Sequence, residues 1–252
     1  MTDYLLVHGA GQGAWIWGPV WGYLTAPEEH PPTLHKRRRA NRVHPIDLPG
    51  HGADAGGDTS EIRLEECVQA ITRTAEREQL KDLVLVGHGF SGSLVVQAAS
   101  EMTVPPKRVV LVAGIVPAPQ RPLLSACPAR TRTAFRLFSM LSSLSRQEFK
   151  LPSSAINGFL CNGMDSMEVV QLLGFFGPLP TRVLKSRLPM ETSELPCPVT
   201  YVMLTQDKMF PPDAQARVAE RFEGVETVEI ESCHQVMAQH PQELAEVLLR
   251  YA

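Results

Sequence analysis

The sequence has no excess of either charge and no long hydrophobic run. Lys and Arg number 24 against 27 Asp and Glu, which gives a formal net charge of -3 at pH 7. A nucleic-acid-binding domain needs a basic face, so this balance argues against one. No apolar run approaches the ~18 residues of a membrane span, and the N-terminal residues do not resemble a signal peptide. These absences predict a cytoplasmic protein without nucleic-acid or membrane partners.

Cysteine is scarce and has no metal-binding pattern. No C-x-x-C spacing occurs, which favours reduced thiols over a disulfide frame or a zinc site; the five cysteines are Cys67, Cys127, Cys161, Cys197 and Cys233. A metal site built from His8, His88 and His234 is a weaker alternative, because no carboxylate accompanies these histidines. No P-loop or G-x-G-x-x-G motif is present. We therefore predict neither a metal nor a nucleotide cofactor.

Short apolar runs alternate with segments of helix length along most of the chain. This alternation is typical of a parallel sheet with helices on both faces. Strands are predicted at 4–8, 42–47, 83–87, 108–113, 198–204 and 226–230, and helices at 60–79, 90–101, 213–223 and 241–251. The predicted fold class is therefore α/β, with a mostly parallel sheet of about six or more strands. The basic run from His35 to Arg39 is predicted to be a solvated loop.

A long segment rich in Phe and Met separates the fourth and fifth predicted strands. A structureless loop of this length is improbable within a compact domain. We predict a core formed by residues 1–114 and 196–252, with residues 115–195 as a helical cap over the carboxyl edge of the sheet. Ligands of open α/β sheets bind at that edge, so the cap would enclose an apolar pocket. A helical decoration without a pocket role is the alternative, and dimerisation through the cap or the last helix is left open.

Several turns that follow strands carry groups suited to catalysis. The run LVLVGHGFSGSLVVQAA at 83–99 predicts a strand, a tight turn and a helix whose N-terminus favours negative charge. With the Gly-rich turn after the first strand, it could form an oxyanion hole from the backbone amides of Ala10 and Phe90. Asp207 follows the next-to-last strand and His234 follows the last one, so both are expected above the sheet.

These motifs resemble those of the α/β-hydrolase superfamily. The stretch HGAGQGAWIW at 8–17 is similar to the oxyanion turn of the plant methylesterase and hydroxynitrile lyase branch and its bacterial relatives. The resemblance runs from Tyr4 to Ala252 and is weakest in the cap. It implies that His234 is the general base, that Asp207 orients it, and that Ala10 and Phe90 supply the oxyanion amides.

The sequence departs from this family at the catalytic turn. Gly89 occupies the position of the nucleophilic Ser, so the covalent step cannot be carried over by resemblance. Ser91 lies two residues further along, rotated by about 200° on the helix, and is predicted to be a small packing residue. A nucleophilic Ser91 is the weaker alternative. Gly11, Ser91 and Trp15 are the residues expected to line the pocket, although Trp15 could equally belong to the core.

Three functions remain open from the sequence. The first is an enzyme that uses the His234–Asp207 pair and the oxyanion hole without a covalent intermediate, as a lyase, isomerase, cyclase or non-covalent hydrolase. Its substrate would be a small, largely apolar molecule with a carbonyl group. The second is a Ser hydrolase of esters, thioesters or lactones, inactivated by Gly89. The third is a non-catalytic binder of a small apolar molecule.

Overall fold

A six-stranded sheet, parallel throughout, forms the centre of the fold. The computed structural model describes residues 2–25, 41–55, 59–145, 148–190 and 192–252, so the basic run from His35 to Arg39 lies outside the described residues. Within them the strand order is β2-β1-β3-β4-β5-β6. The strands are β1 (Asp3–Val7), β2 (Arg42–Ile46), β3 (Leu83–His88), β4 (Arg108–Val112), β5 (Val199–Leu204) and β6 (Glu226–Ile230). The predicted fold class is confirmed, and every predicted strand lies within one residue of its observed bounds.

The central strands β1, β3, β4 and β5 are mostly apolar because both faces of the sheet are covered there. In β1, Leu5 and Val7 point into one apolar cluster while Tyr4 and Leu6 point into the other. Strands buried on both faces are read from sequence as continuous apolar runs rather than alternating ones. This explains why the central strands could be predicted from short runs of apolar residues.

Helices cover the two faces of the sheet. Those outside the long segment are α1 (Gly18–Thr25), α2 (Leu64–Arg77), α3 (Ser91–Glu101), α8 (Pro212–Ala219), α9 (Val236–Gln239) and α10 (Pro241–Leu249). Helix α1 was not predicted, because its sequence GPVWGYLT contains two glycines and a proline, which are poor helix formers. It forms nevertheless, packing against α10 with Val20 and Leu24 buried. Tertiary burial here overrides local propensity.

The segment between β4 and β5 is largely helical. It contains α4 (Ala129–Ser145), α5 (Ser153–Ala155), α6 (Ser166–Leu173) and α7 (Thr181–Lys185), with a π-helical turn at Ile156–Leu160 and 3-10 turns at Leu123–Ala126 and Thr192–Glu194. The amide of Gly177 donates a hydrogen bond to the carbonyl of Gly11, 2.8 Å away. The segment is therefore tied to the turn after β1, on the carboxyl edge of the sheet. Among the described residues, no helix is both long and apolar enough to cross a bilayer.

Candidate active site

The turn between β3 and α3 places residue 89 at the edge of the sheet. Gly89 has a φ of +55°, a left-handed conformation that costs other residues free energy and suits glycine. Its amide donates to the carbonyl of Val112 at 3.0 Å, and its own carbonyl accepts from the amide of Ile115 at 2.7 Å. The neighbouring strand therefore holds this turn in place on both sides.

A side chain at position 89 would point at His234. A Cβ atom built on Gly89 would lie 3.1 Å from Nε2 of His234 and 3.5 Å from its Cε1. The first distance is shorter than an ordinary van der Waals contact, so the imidazole would have to move by a few tenths of an ångström to admit a side chain. A nucleophilic side chain at position 89 would therefore point at His234, but Gly89 has no side chain.

His234 and Asp207 form a buried pair above β5 and β6. Nδ1 of His234 lies 2.6 Å from Oδ2 of Asp207, and both side chains are almost completely buried. The other carboxylate oxygen, Oδ1, accepts hydrogen bonds from the amides of Met209 and Phe210 at 2.8 and 2.9 Å. With its carboxylate fixed in this way, Asp207 holds the imidazole so that Nε2 faces position 89.

Ala10 and Phe90 line the same small cavity as His234, and within the described residues their backbone amides have no acceptor. This inner cavity measures about 20 Å³ and is also lined by His88 and Met209. A cavity of this size holds about one water molecule. The arrangement therefore brings a base and two free donors around one small space.

A larger apolar pocket adjoins the inner cavity. It measures about 340 Å³ and lies against α4, α5 and the π-helical turn, with Ala134, Phe138, Ala155 and Phe159 among its walls. Four residues line both spaces, namely Phe135, Leu151, Leu160 and Met209. An apolar molecule in the pocket would thus be separated from His234 only by these shared side chains.

The remaining buried histidines hold turns together. His8 donates from Nδ1 to the carbonyl of Gly9 at 2.8 Å and accepts at Nε2 from the amide of Leu48 at 3.1 Å. Burial lowers the pKa of His8 to about 3, with a smaller contribution from His51. Burial also holds the pKa of His88 well below its ordinary value, and its Nε2 bonds to the carbonyl of His234 at 2.9 Å. Among the described residues, no group of three or more His, Cys, Asp or Glu is placed to hold a metal ion.

The three residues expected to line the pocket lie outside the inner cavity. Ser91 is buried and its hydroxyl donates to the carbonyl of His8. Gly11, with a φ of +74°, instead faces Leu179 of the long segment. Trp15 packs against Phe175, with ring centroids 5.2 Å apart. Ser91 and Gly11 therefore position the turns, and Trp15 also contacts Phe176 of the cavity lining, with ring centroids 6.1 Å apart.

Two glutamines in the inner cavity were not predicted from the sequence. Nε2 of Gln12 donates to Oε1 of Gln235 at 2.6 Å, while Oε1 of Gln12 accepts from the amide of Gly9 at 3.0 Å. Both residues line the inner cavity beside His234. Their positions in the sequence could have indicated them, because Gln12 lies within the Gly-rich turn and Gln235 directly follows His234, the candidate base.

Comparison with known proteins places the chain in a family. A model of the alpha/beta hydrolase family matches residues 4–247. The chain is 25% identical to Methylesterase 9 of Arabidopsis thaliana, in an alignment that covers 100% of this chain and 98% of that protein. It is also 25% identical to the carbendazim hydrolyzing esterase of Nocardioides sp. (strain SG-4G) over 128 residues, which cover 51% of this chain and about half, 48%, of that relative.

A solved structure gives the same assignment of fold. It is an extracellular alpha/beta-hydrolase from a Paenibacillus species, described as sharing structural and functional homology with tobacco salicylic acid binding protein 2. The two chains superpose with a TM-score of 0.82 at 19% identity, covering 100% of this chain and 99% of the other. The predicted likeness to plant methylesterases is confirmed by the Arabidopsis relative. The chain therefore belongs to the alpha/beta hydrolase family of enzymes.

Proposed function

We propose that this enzyme acts on a small, largely apolar carbonyl compound, with His234 as general base and without a nucleophilic serine. One observation carries the proposal. Nε2 of His234 faces Gly89, which has no side chain, inside a cavity that the unpaired amides of Ala10 and Phe90 also line. Asp207 is retained 2.6 Å from Nδ1, although a protein that only bound ligand would have no chemical need for the pair.

The proposed chemistry is proton transfer without an acyl-enzyme. Nε2 of His234 would take a proton from a carbon acid, a hydroxyl group or a water molecule. The carboxylate of Asp207 would stabilise the resulting imidazolium. The amides of Ala10 and Phe90 would donate hydrogen bonds to the enolate or tetrahedral oxyanion that forms. Lyase, isomerase, cyclase and non-covalent hydrolytic reactions all use this sequence of events.

The apolar pocket supports an apolar substrate. Its volume of about 340 Å³ is within the range of small-molecule sites, and its walls are mainly Phe, Leu, Ala and Met side chains. We assign residues 115–195 the role of a cap that excludes water from this pocket. A dry site would strengthen the interaction between the oxyanion and the two amides.

Hydrogen–deuterium exchange tests the proposal. The chain is mixed with small aryl ketones and 1,3-diketones in D2O, and loss of the α-proton signal is followed by NMR. We expect exchange to be faster with the native chain than with His234→Ala, while His240→Ala, which removes a histidine outside the site, retains it. Equal exchange in the native chain and in His234→Ala would contradict a general-base role for His234.

A second function is favoured by the direction of position 89 and by the relatives. The chain would be a Ser hydrolase of esters, thioesters or lactones in which Gly89 stands where the nucleophile belongs. A Cβ at position 89 would point at His234, and two relatives are named as esterases. Ester turnover restored by Gly89→Ser, with no ketone exchange by the native chain, would favour this function over the first.

A further inference from the structure

A cavity on the far side of Phe135 from His234 is lined by positive charge. It measures about 610 Å³ and lies between the 3-10 turn at Leu123–Ala126, α4 and α7. Four cationic side chains line it, namely Arg121, Arg132, Arg136 and Lys185. No carboxylate among the described residues does so. We call this space the cationic cavity.

Within the described residues, three of the four cations of this cavity have no partner, and the fourth is held in place by backbone carbonyls. Arg132 is partly buried and its Nη1 donates to the carbonyls of Ser125 and Cys127 at 3.4 and 3.1 Å, which fixes the guanidinium in position. The side chains of Arg121, Arg136 and Lys185 have no hydrogen-bonding or ionic partner in the described part of the chain. Four like charges around one cavity repel each other in a chain whose formal net charge is -3. A bound anion would relieve that repulsion, because a cleft lined by one sign of charge concentrates the opposite ion.

The other walls of the cavity indicate what kind of anion fits. Hydroxyl groups come from Ser125, Ser139 and Thr181, and apolar surface comes from Leu124, Phe135, Phe149 and Leu184. Planar guanidinium groups bind carboxylates and phosphates through paired hydrogen bonds. The apolar walls and the volume suit an aromatic or aliphatic body attached to the charged group. An inorganic ion would leave most of these walls without contact.

We propose that the cationic cavity is a binding site for a small organic anion, distinct from the space around His234. Among the described residues, Phe135 is the one that lines both the cationic cavity and the inner cavity. This ring also packs edge-on against Phe90, with centroids 5.6 Å apart, and against Phe149 at 5.8 Å. An anion bound there therefore contacts the same ring that forms a wall of the catalytic space.

Calorimetric titration of the full chain tests this site. The probe is 2-naphthoate, and its neutral isostere 2-naphthamide is the ligand control. We expect 2-naphthoate to bind, its affinity to fall at high salt, and 2-naphthamide to bind at least about tenfold more weakly, since charge-assisted hydrogen bonds are lost. Equal affinity for the two probes, or no binding of 2-naphthoate, would overturn the proposal.

Variants locate the binding. The double variant Arg136→Gln/Lys185→Gln changes two exposed side chains and should weaken 2-naphthoate binding about tenfold or more. Arg187→Gln is the matched control, because Arg187 is an exposed cation of the same segment outside every cavity described above. An equal loss of 2-naphthoate binding in Arg187→Gln would show that the overall charge of the chain, and not this cavity, determines binding, and would overturn the proposal. Loss of binding in His234→Ala would place the anion at the catalytic space and overturn the separate site, whatever the outcome for the proposed reaction.

Discussion

Gly89 and His234 face each other across the turn that opens α3, and a Cβ on the glycine would lie 3.1 Å from the imidazole Nε2. Position 89 is therefore aimed at the base although it carries no functional group. Because glycine has no Cβ, Gly89 adopts its positive φ without the strain that other residues would have there. Both proposed functions start from this relationship, and they differ in whether the glycine itself belongs to the mechanism.

Gly89→Ser should create a reactive serine. The new hydroxyl would lie beside Nε2 of His234, so we expect labelling by a fluorophosphonate, measured by intact mass, and aryl ester turnover on the order of 10³-fold or more above the native chain. A serine forced into the left-handed backbone conformation of this position is strained, so the variant should have a free energy of unfolding about 1–3 kcal/mol below that of the native chain. Urea denaturation measures that cost.

Two controls accompany this variant. Gly89→Ala carries the same backbone strain without a hydroxyl and should remain unlabelled. Adding His234→Ala to Gly89→Ser should abolish turnover. A Gly89→Ser chain that folds and stays inert would show that the site was not built for acyl transfer.

Asp207→Asn should reduce the activity of the site while leaving the fold largely intact. The amide oxygen can still accept from Met209 and Phe210, but the charge that orients and stabilises the imidazolium is lost. In the Gly89→Ser background we expect ester turnover to fall on the order of 10⁴-fold, as in other triads. Asp213→Asn, at an exposed carboxylate paired with Arg217, is the matched control and should change little. Unchanged turnover in Asp207→Asn would rule out an orienting role.

Ser91→Ala should affect stability and not reactivity. The Ser91 hydroxyl donates to the carbonyl of His8 in the core, so its removal should cost about 1 kcal/mol. Ser100→Ala, on the exposed side of the same helix, should cost less. Fluorophosphonate labelling of Gly89→Ser should be the same with or without Ser91. Labelling of the native chain at Ser91 would contradict the structural role.

Stability should fall as the pH is lowered from about neutral. Burial lowers the pKa of His8 to about 3 in the folded chain, against 6.5 ordinarily. Between these two values the unfolded chain binds more protons than the folded one, so the free energy of unfolding decreases as pH falls from 6.5 toward 3. The pKa of His88 is lowered in the same direction and adds to the effect.

Urea unfolding across this pH range measures the slope. His8→Asn should flatten the dependence of unfolding free energy on pH, whereas His240→Asn should leave it as it is. A native chain equally stable at both ends of the range would show that His8 and His88 are not held neutral by the fold.

The sequence predicted the four central strands because they are buried on both faces and hence mostly apolar, whereas the edge strands β2 and β6 are more polar and more exposed. It also predicted the order of the catalytic turn, Asp207 and His234, since each follows a strand and strand ends meet at one edge of a parallel sheet. Helix α1 was not found, because its glycines and proline oppose a helix that only burial against α10 stabilises. The roles of the site residues remain predictions that the experiments above address.

Other features were decided by tertiary structure alone. The sequence predicted Ser91 to be a small packing residue near the pocket and left Trp15 between pocket and core, but it did not give their partners, which are the carbonyl of His8 and the ring of Phe175. The residues that line the cationic cavity come from four separate parts of the chain, at 121–125, 132–139, 149 and 181–185, so no local sequence pattern predicts it. Sequence periodicity specifies which face of an element is buried. Which side chains then meet depends on how distant elements pack. The distances around Gly89, His234 and Phe135 are therefore determined by tertiary structure.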